Sequence, residues 1–128
     1  MGKVKLVGQL DGDKVVVTDK KIVDHLKSRN FGELYENYLV LDTYETIYLM
    51  EHRNLSVNYK KTDLPKNAVL QKILENSDKE FIMHKYKVFE EIREKGYVIK
   101  TGLKFGFDFR VYPKDKTMAE AHTKYVIS

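Results

Sequence analysis

The chain has 128 residues and a mass of 15.1 kDa, with 42% hydrophobic and 33% charged side chains. That balance fits one ordinary globular domain or two small ones and excludes a disordered chain, and no apolar run approaches the ~20 residues of a membrane span. The absence of cysteine excludes disulfides, thiolate nucleophiles and cysteine-ligated zinc and fits a reducing cytoplasm, while 23 basic against 19 acidic residues give a net charge of +4, too mild to name a partner.

Val4 and Leu6, then Val15 and Val17, alternate on either side of Asp11-Gly12-Asp13, which predicts a hairpin with Gly12 at positive φ. Thr18 or Asp19 can cap a helix whose apolar face is Ile22, Val23 and Leu26, and Asn30 and Gly32 end it. Leu39 to Leu41 reads as a short extended piece. Asp42 and Glu45 form a capping-box pattern that opens a helix through about Met50. Ser56 to Tyr59 is expected to be extended, Thr62 to Pro65 a turn, and 66–76 a weak helix.

The main boundary is expected at Ser77. Ser77 and Glu80 make a second capping-box pattern, and a long helix follows to Lys95, with Phe81, Ile82, Tyr86, Phe89 and Ile92 near helical spacing and Gly96 as its C′ residue. The period then changes from about 3.6 to 2. Tyr97 to Lys100 reads as a strand, Thr101-Gly102 as a turn, and Phe105, Phe107, Phe109 and Val111 alternate with Gly106, Asp108, Arg110 and Tyr112. Pro113 to Glu120 reads as a polar loop and Ala121 to Ile127 as a further strand. The layout predicts an α+β protein: a mixed module over 1–77 and a helix-then-sheet domain over 78–128.

Charge is uneven along this layout. Residues 1–77 hold 12 basic and 11 acidic side chains, and residues 78–128 hold 11 and 8. Within 93–116, seven basic residues (Arg93, Lys95, Lys100, Lys104, Arg110, Lys114, Lys116) stand against three acidic ones (Glu94, Asp108, Asp115). A solvated surface explains this about as well as a polyanion site. His25, His52, His84 and His122 are scattered, and no His-Glu-x-x-His or clustered-carboxylate pattern occurs, so neither a metal nor a cofactor is expected. There is no phosphate-binding Gly-rich loop of Walker type, no dinucleotide fingerprint and no Gly-x-Ser-x-Gly.

What remains is a pair. Tyr112 ends the alternating strand on its polar face, and His122 opens the next strand ten positions later, across the polar loop. If those strands pair, a phenol and an imidazole approach one cleft, a combination suited to metal-free acid–base work. Tyrosine, near pKa 10 when unperturbed, needs a neighbouring cation to act as a base, and the surrounding Lys and Arg residues can supply it. On spacing alone the plainer reading, an edge-strand aromatic and a surface histidine, is favoured. Lys104 and Arg110 can touch phosphate, although Arg110 can equally pair with Asp108. Lys114 and Lys116 lie in the loop beside Tyr112 and are better placed for backbone contacts or are simply solvated. The Phe105/Phe107/Phe109 stripe reads as core.

The run from Arg93 to Pro113, with Gly96-Tyr97-Val98-Ile99-Lys100-Thr101-Gly102-Leu103-Lys104-Phe105-Gly106-Phe107-Asp108-Phe109-Arg110-Val111-Tyr112 at its centre, closely resembles the core motif of the archaeal tRNA-splicing endonucleases. Ala121-His122-Thr123-Lys124-Tyr125-Val126 resembles that family's histidine-bearing strand, and Gly8 through Asp19 resembles part of its N-terminal domain. The resemblance implies a mixed N-terminal module followed by a restriction-nuclease-like catalytic domain. It implies an enzyme that cuts precursor tRNA in bulge–helix–bulge RNA without a metal, leaving a 2′,3′-cyclic phosphate and a 5′-hydroxyl. Carried over by position, Tyr112 matches the general base on the 2′-hydroxyl and His122 the general acid for the departing 5′-oxygen. Homo- or hetero-oligomers with other splicing-endonuclease subunits are implied, with a non-catalytic structural or RNA-binding subunit as the alternative role. The family's third catalytic residue, a lysine well after the histidine, has no counterpart up to Ser128, and Lys124 follows His122 too closely. A shortened chain is therefore expected ahead of a partly ordered chain or a natural split, with the catalytic domain incomplete and activity poor without the lysine.

Overall fold

In the computed structural model, which describes residues 4–101, 109–112 and 125–127, the chain divides into two units, Met1–Lys79 and Glu80–Ser128. The first unit starts with the expected hairpin. Strands β1 (Val7–Asp11) and β2 (Lys14–Val17) pair antiparallel with Asp11 opposite Lys14, and Gly12 in the two-residue loop has φ +63°. The strand begins at Val7, later than the Val4–Leu6 alternation suggests. Its parallel partner starts at Ser56, opposite Val7, so Val4 has no ladder position and is exposed.

Helix α1 (Lys20–Ser28) is capped by Asp19, whose carboxylate accepts from the Lys21 N–H at 2.9 Å and the Ile22 N–H at 3.3 Å. Ile22, Val23 and Leu26 are its buried face. Asn30 and Gly32 then take φ +62° and +78°. A Cβ on Gly32 would lie 2.5 Å from the Leu39 Cγ, so both its backbone angle and its closeness to the next strand call for glycine.

Strand β3 (Glu33–Tyr35) pairs with β4 (Tyr38–Leu41). Strand β3 was not expected, because all three of its residues are exposed and its turn uses Glu36 at φ +49° in place of a glycine. Helix α2 (Thr43–His52) has the complete capping box: the Glu45 N–H donates to Asp42 Oδ1 at 2.8 Å and the Asp42 N–H to Glu45 Oε1 at 3.2 Å. Every residue from Tyr44 to Met50 is buried, so α2 is covered on all sides.

Strand β5 (Ser56–Tyr59) is followed by β6 (Thr62–Leu64), which corrects the expected turn at Thr62 to Pro65. The turn lies earlier, at Lys60-Lys61, with φ of +50° and +67°. Two lysines in left-handed geometry carry none of the Gly or Asn chemistry by which such a hairpin is read. Helix α3 (Lys66–Ile73) begins after Pro65 and stops short of residue 76. The six strands form a sheet in the order β3-β4-β2-β1-β5-β6, antiparallel except for β1 with β5. Register stacks the core: Leu10 faces Val15, Val15 faces Leu41 and Val17 faces Leu39, all buried, with α1 packed against β4 and α2 against α3.

The second unit is led by helix α4 (Lys79–Glu94). It starts later than a cap at Ser77 implies. Tyr86 and Phe89 are buried, whereas Phe81 is 40% exposed. Phe81 and Tyr86 are five positions apart, about 140° around a helix, which carries Phe81 off the buried stripe. The Lys85 ammonium lies 5.8 Å from its ring centroid. Gly96 takes φ +90°, and its N–H donates to the Arg93 carbonyl at 2.9 Å, closing the helix. Strands β7 (Val98–Thr101), β8 (Phe109–Tyr112) and β9 (Tyr125–Ile127) form an antiparallel sheet in that order. Thr101, expected in a turn, pairs with Phe109. Val98, Ile99 and Val111 are buried. Four helices with a mixed six-stranded and an antiparallel three-stranded sheet, counted over the described residues, bear out the α+β class.

Candidate active site

Gly96 sets the start of this region by ending α4 and releasing the chain into β7 two residues later. Antiparallel pairing then gathers three strand ends. Val98, the first residue of β7, stands opposite Tyr112, the last residue of β8. Val111, next to Tyr112, pairs with Ile99 on one side and with Tyr125, the first residue of β9, on the other. One end of the sheet therefore holds Val98, Tyr112 and Tyr125. The pairing of the Tyr112 strand with the following strand, the condition set by the sequence, is met in the backbone. Arg110 sits between Lys100 and Val126 in the same ladder. His122, Lys104, Lys114 and Lys116, like Phe105, Phe107 and Asp108, lie outside the described residues. So do the side chains of Tyr112 and Arg110, whose backbone alone is described.

The sequence profile described as "tRNA intron endonuclease, N-terminal domain" matches residues 6–70, and that described as "tRNA intron endonuclease, catalytic C-terminal domain" matches residues 82–128. The chain belongs to the tRNA intron endonuclease family. It is 32% identical to the tRNA-splicing endonuclease of Methanococcus vannielii over 125 residues, covering 98% of this chain and 70% of the relative. It is 33% identical to that of Thermococcus gammatolerans over 123 residues, 95% of this chain and 70% of the relative. With that of Pyrococcus horikoshii it shares 38% identity over 107 residues, 83% of this chain and 62% of the relative. Within the tRNA intron endonuclease family the catalytic-domain match includes both Tyr112 and His122, and the N-terminal match includes every strand of the six-stranded sheet. No helix among the described residues is long and apolar enough to cross a membrane.

A second group of polar side chains went unnoticed in the sequence. At the end of α1, Arg29 Nη1 lies 3.3 Å from His25 Nδ1, 3.1 Å from Ser28 Oγ and 3.5 Å from the His25 carbonyl. Arg53, at the end of α2, acts on the same imidazole. Burial, then the Arg29 and Arg53 guanidinium groups, hold His25 below the ordinary histidine range. Arg29 and Arg53 are 24 positions apart, and no local pattern links them.

Proposed function

We propose that the chain is a catalytic subunit of a tRNA-splicing endonuclease that cuts precursor tRNA at bulge–helix–bulge intron boundaries, working within a homo- or hetero-oligomer. Tyr112, as phenolate, takes the proton of the 2′-hydroxyl next to the scissile phosphate. The 2′-oxygen bonds to phosphorus as the bond from phosphorus to the 5′-oxygen breaks. His122, as imidazolium, gives its proton to that leaving oxygen. The ends are a 2′,3′-cyclic phosphate and a 5′-hydroxyl, with no water consumed in the cut. A 2′-hydroxyl is a poor nucleophile until deprotonated and held in line, and a ribose oxygen leaves poorly until protonated, so both partners are needed.

The observation that carries this reading is the catalytic-domain match, which extends over both residues of the pair. Chain geometry supports it. Tyr125 stands opposite Val111, next to Tyr112, and the three residue steps from His122 to Tyr125 span at most about 10 Å. Arg110, Lys104, Lys114 and Lys116 are the cations assigned to phosphate contacts, and such charges near Tyr112 favour its phenolate.

The test is single-turnover cleavage of a labelled bulge–helix–bulge RNA in EDTA. Tyr112→Phe and His122→Ala should each slow cutting by roughly 10²-fold or more, with RNA affinity retained. Unchanged rates would remove the two residues from the chemistry, and loss of all cutting in EDTA would require a metal.

A further inference from the structure

The β5–β6 hairpin closes through Lys60 and Lys61, with Tyr59 paired to Thr62 across the turn. Both lysines hold left-handed backbone, φ +50° and +67°, which is unfavourable for any residue with a Cβ. A two-residue turn with both angles positive is the place for Asn-Gly or Asp-Gly. Elsewhere the first unit follows that chemistry: Gly12 takes the positive φ of the β1–β2 turn, and Asn30, Gly32 and Asn54 take others. Among the described residues Glu36, a single position, is the other departure. The β5–β6 turn thus keeps two long cations, side by side, in a conformation that strains both.

The surroundings do not account for the lysines. Both are exposed and make no ion pair among the described residues, whereas Lys66, just beyond the hairpin, meets Glu51 at 3.5 Å. Asp63 is the one acid from Ser56 to Lys66. Tyr59 is 45% exposed, with the Lys60 ammonium 5.3 Å from its ring centroid. Protection of the sheet edge needs a charge within β6, and Asp63 already supplies one. Solubility is served equally by a lysine in relaxed backbone. Strain of this kind is retained where binding or catalysis uses the strained residues. Two unneutralised ammonium groups beside an exposed ring match a nucleic acid: the cations contact phosphates and the ring stacks on an unpaired base. An acidic peptide would use the cations alone and leave Tyr59 idle.

We propose that Tyr59, Lys60 and Lys61 form an RNA contact on the first unit, apart from the residues assigned to cleavage: the lysines hold backbone phosphates and Tyr59 stacks on an unpaired nucleotide. The proposal rests on the reading of the chain as a precursor-tRNA endonuclease, which supplies the polyanion and, in its bulges, the unpaired bases. The contact binds and orients the RNA, reads no sequence and takes no part in bond breaking.

The experiment reads binding and not cutting: affinity for a bulge–helix–bulge RNA by fluorescence anisotropy across a salt series, with sedimentation and a urea melt of each protein alongside. Lys60→Asn/Lys61→Gly removes both charges and gives the turn the residues it prefers, so weaker binding does not come from a loosened hairpin. This variant should bind about tenfold more weakly, and its log–log salt slope should fall by about two. Lys60→Gln/Lys61→Gln, which keeps long side chains on the turn, should do the same. Tyr59→Ala should bind about fivefold more weakly or worse with its slope unchanged, and Tyr59→Phe should match the unmodified chain. Equal affinity and slope in both lysine variants, with the unmodified chain bound to the RNA, overturns the contact and leaves the proposed function standing. Full affinity in Tyr59→Ala removes the ring and overturns the contact as stated. An unmodified chain with no affinity for the RNA even at low salt overturns both the contact and the proposed function. Weaker binding that tracks a change in sedimentation assigns the turn to contacts between protein chains and overturns the RNA contact.

Discussion

The Glu45 carboxylate ties two distant segments together: its Oε2 accepts from the Gly32 N–H at 2.8 Å and its Oε1 from the Asp42 N–H at 3.2 Å. One side chain thus closes the capping box of α2 and fixes the glycine that leads from α1 into β3. Glu45 is buried, and its loss leaves two backbone donors to be satisfied in other ways. Glu45→Ala should destabilise the fold by about 2–3 kcal/mol in urea melts, and Glu45→Gln by less. Gly32→Ala should cost about 2 kcal/mol or more, from its positive φ and the close Leu39 side chain. A loss below 0.5 kcal/mol, roughly the scale of a neutral surface change, would deny the Glu45–Gly32 contact a structural role.

The lowered His25 pKa has a signed consequence. Burial, Arg29 and Arg53 make the folded protein take up this proton less readily than the unfolded chain, whose histidine titrates near 6.5. The unfolded state therefore binds more protons as pH falls through about 6.5, and stability drops there; above that pH the effect vanishes. Urea midpoints at pH 5.5 and 7.5 should differ less in His25→Gln than in the unmodified chain. An NMR titration should place the His25 midpoint below 6.5, and a higher midpoint would contradict the charge arrangement.

Tyr44 predicts the opposite edge of the pH range. Burial first, and then the Asp42 carboxylate, push its phenol up from 10.0 to about 12. Ionisation is harder in the folded state, so this contribution to stability is whole below pH 10 and is lost as pH rises through about 12. Tyr44→Phe should lack that alkaline component. In an ultraviolet titration the native chain should show a late-ionising component, and its reduction by one tyrosine in the variant is the check.

The Lys60-Lys61 turn is a place where stability can be gained. Both residues hold positive φ at the tip of the β5–β6 hairpin, which costs lysine on the order of 1 kcal/mol each. Lys60→Asn with Lys61→Gly, the residues this turn prefers, should raise stability by about 1 kcal/mol. The cation–π contact of Lys60 with Tyr59, at 5.3 Å, is lost in the exchange and offsets part of the gain. An unchanged urea midpoint would mean that contact outweighs the turn.

What the sequence made legible was local chemistry with a single meaning. Asp19 and Asp42 can be read as caps because a short acceptor just before an apolar-periodic run has few other uses, and Gly12 and Gly96 mark positive φ without ambiguity. Strands β3 and β6 escaped because their turns use Glu36 and Lys60-Lys61 in glycine's conformation, and because short edge strands bury too little to show a period of two. Phe81 shows the limit of counting: apolar and near helical spacing, it still falls outside the buried stripe. For the candidate site, the alternation ending at Tyr112 and a further strand within Ala121 to Ile127 were readable, but their pairing stood only as a condition, because strand order is not written in local sequence. The charges acting on His25 were not readable, since Arg29 and Arg53 stand 24 positions apart in the chain.

The measurement that addresses the central claim most directly replaces one atom of the substrate. A bulge–helix–bulge RNA with a single 2′-deoxynucleotide on the 5′ side of one scissile phosphate should bind normally, remain uncut at that site and be cut at the other, where the upstream product carries a 2′,3′-cyclic phosphate. Cleavage at the deoxy site at the ordinary rate would show that the attacking oxygen comes from elsewhere and would contradict the account.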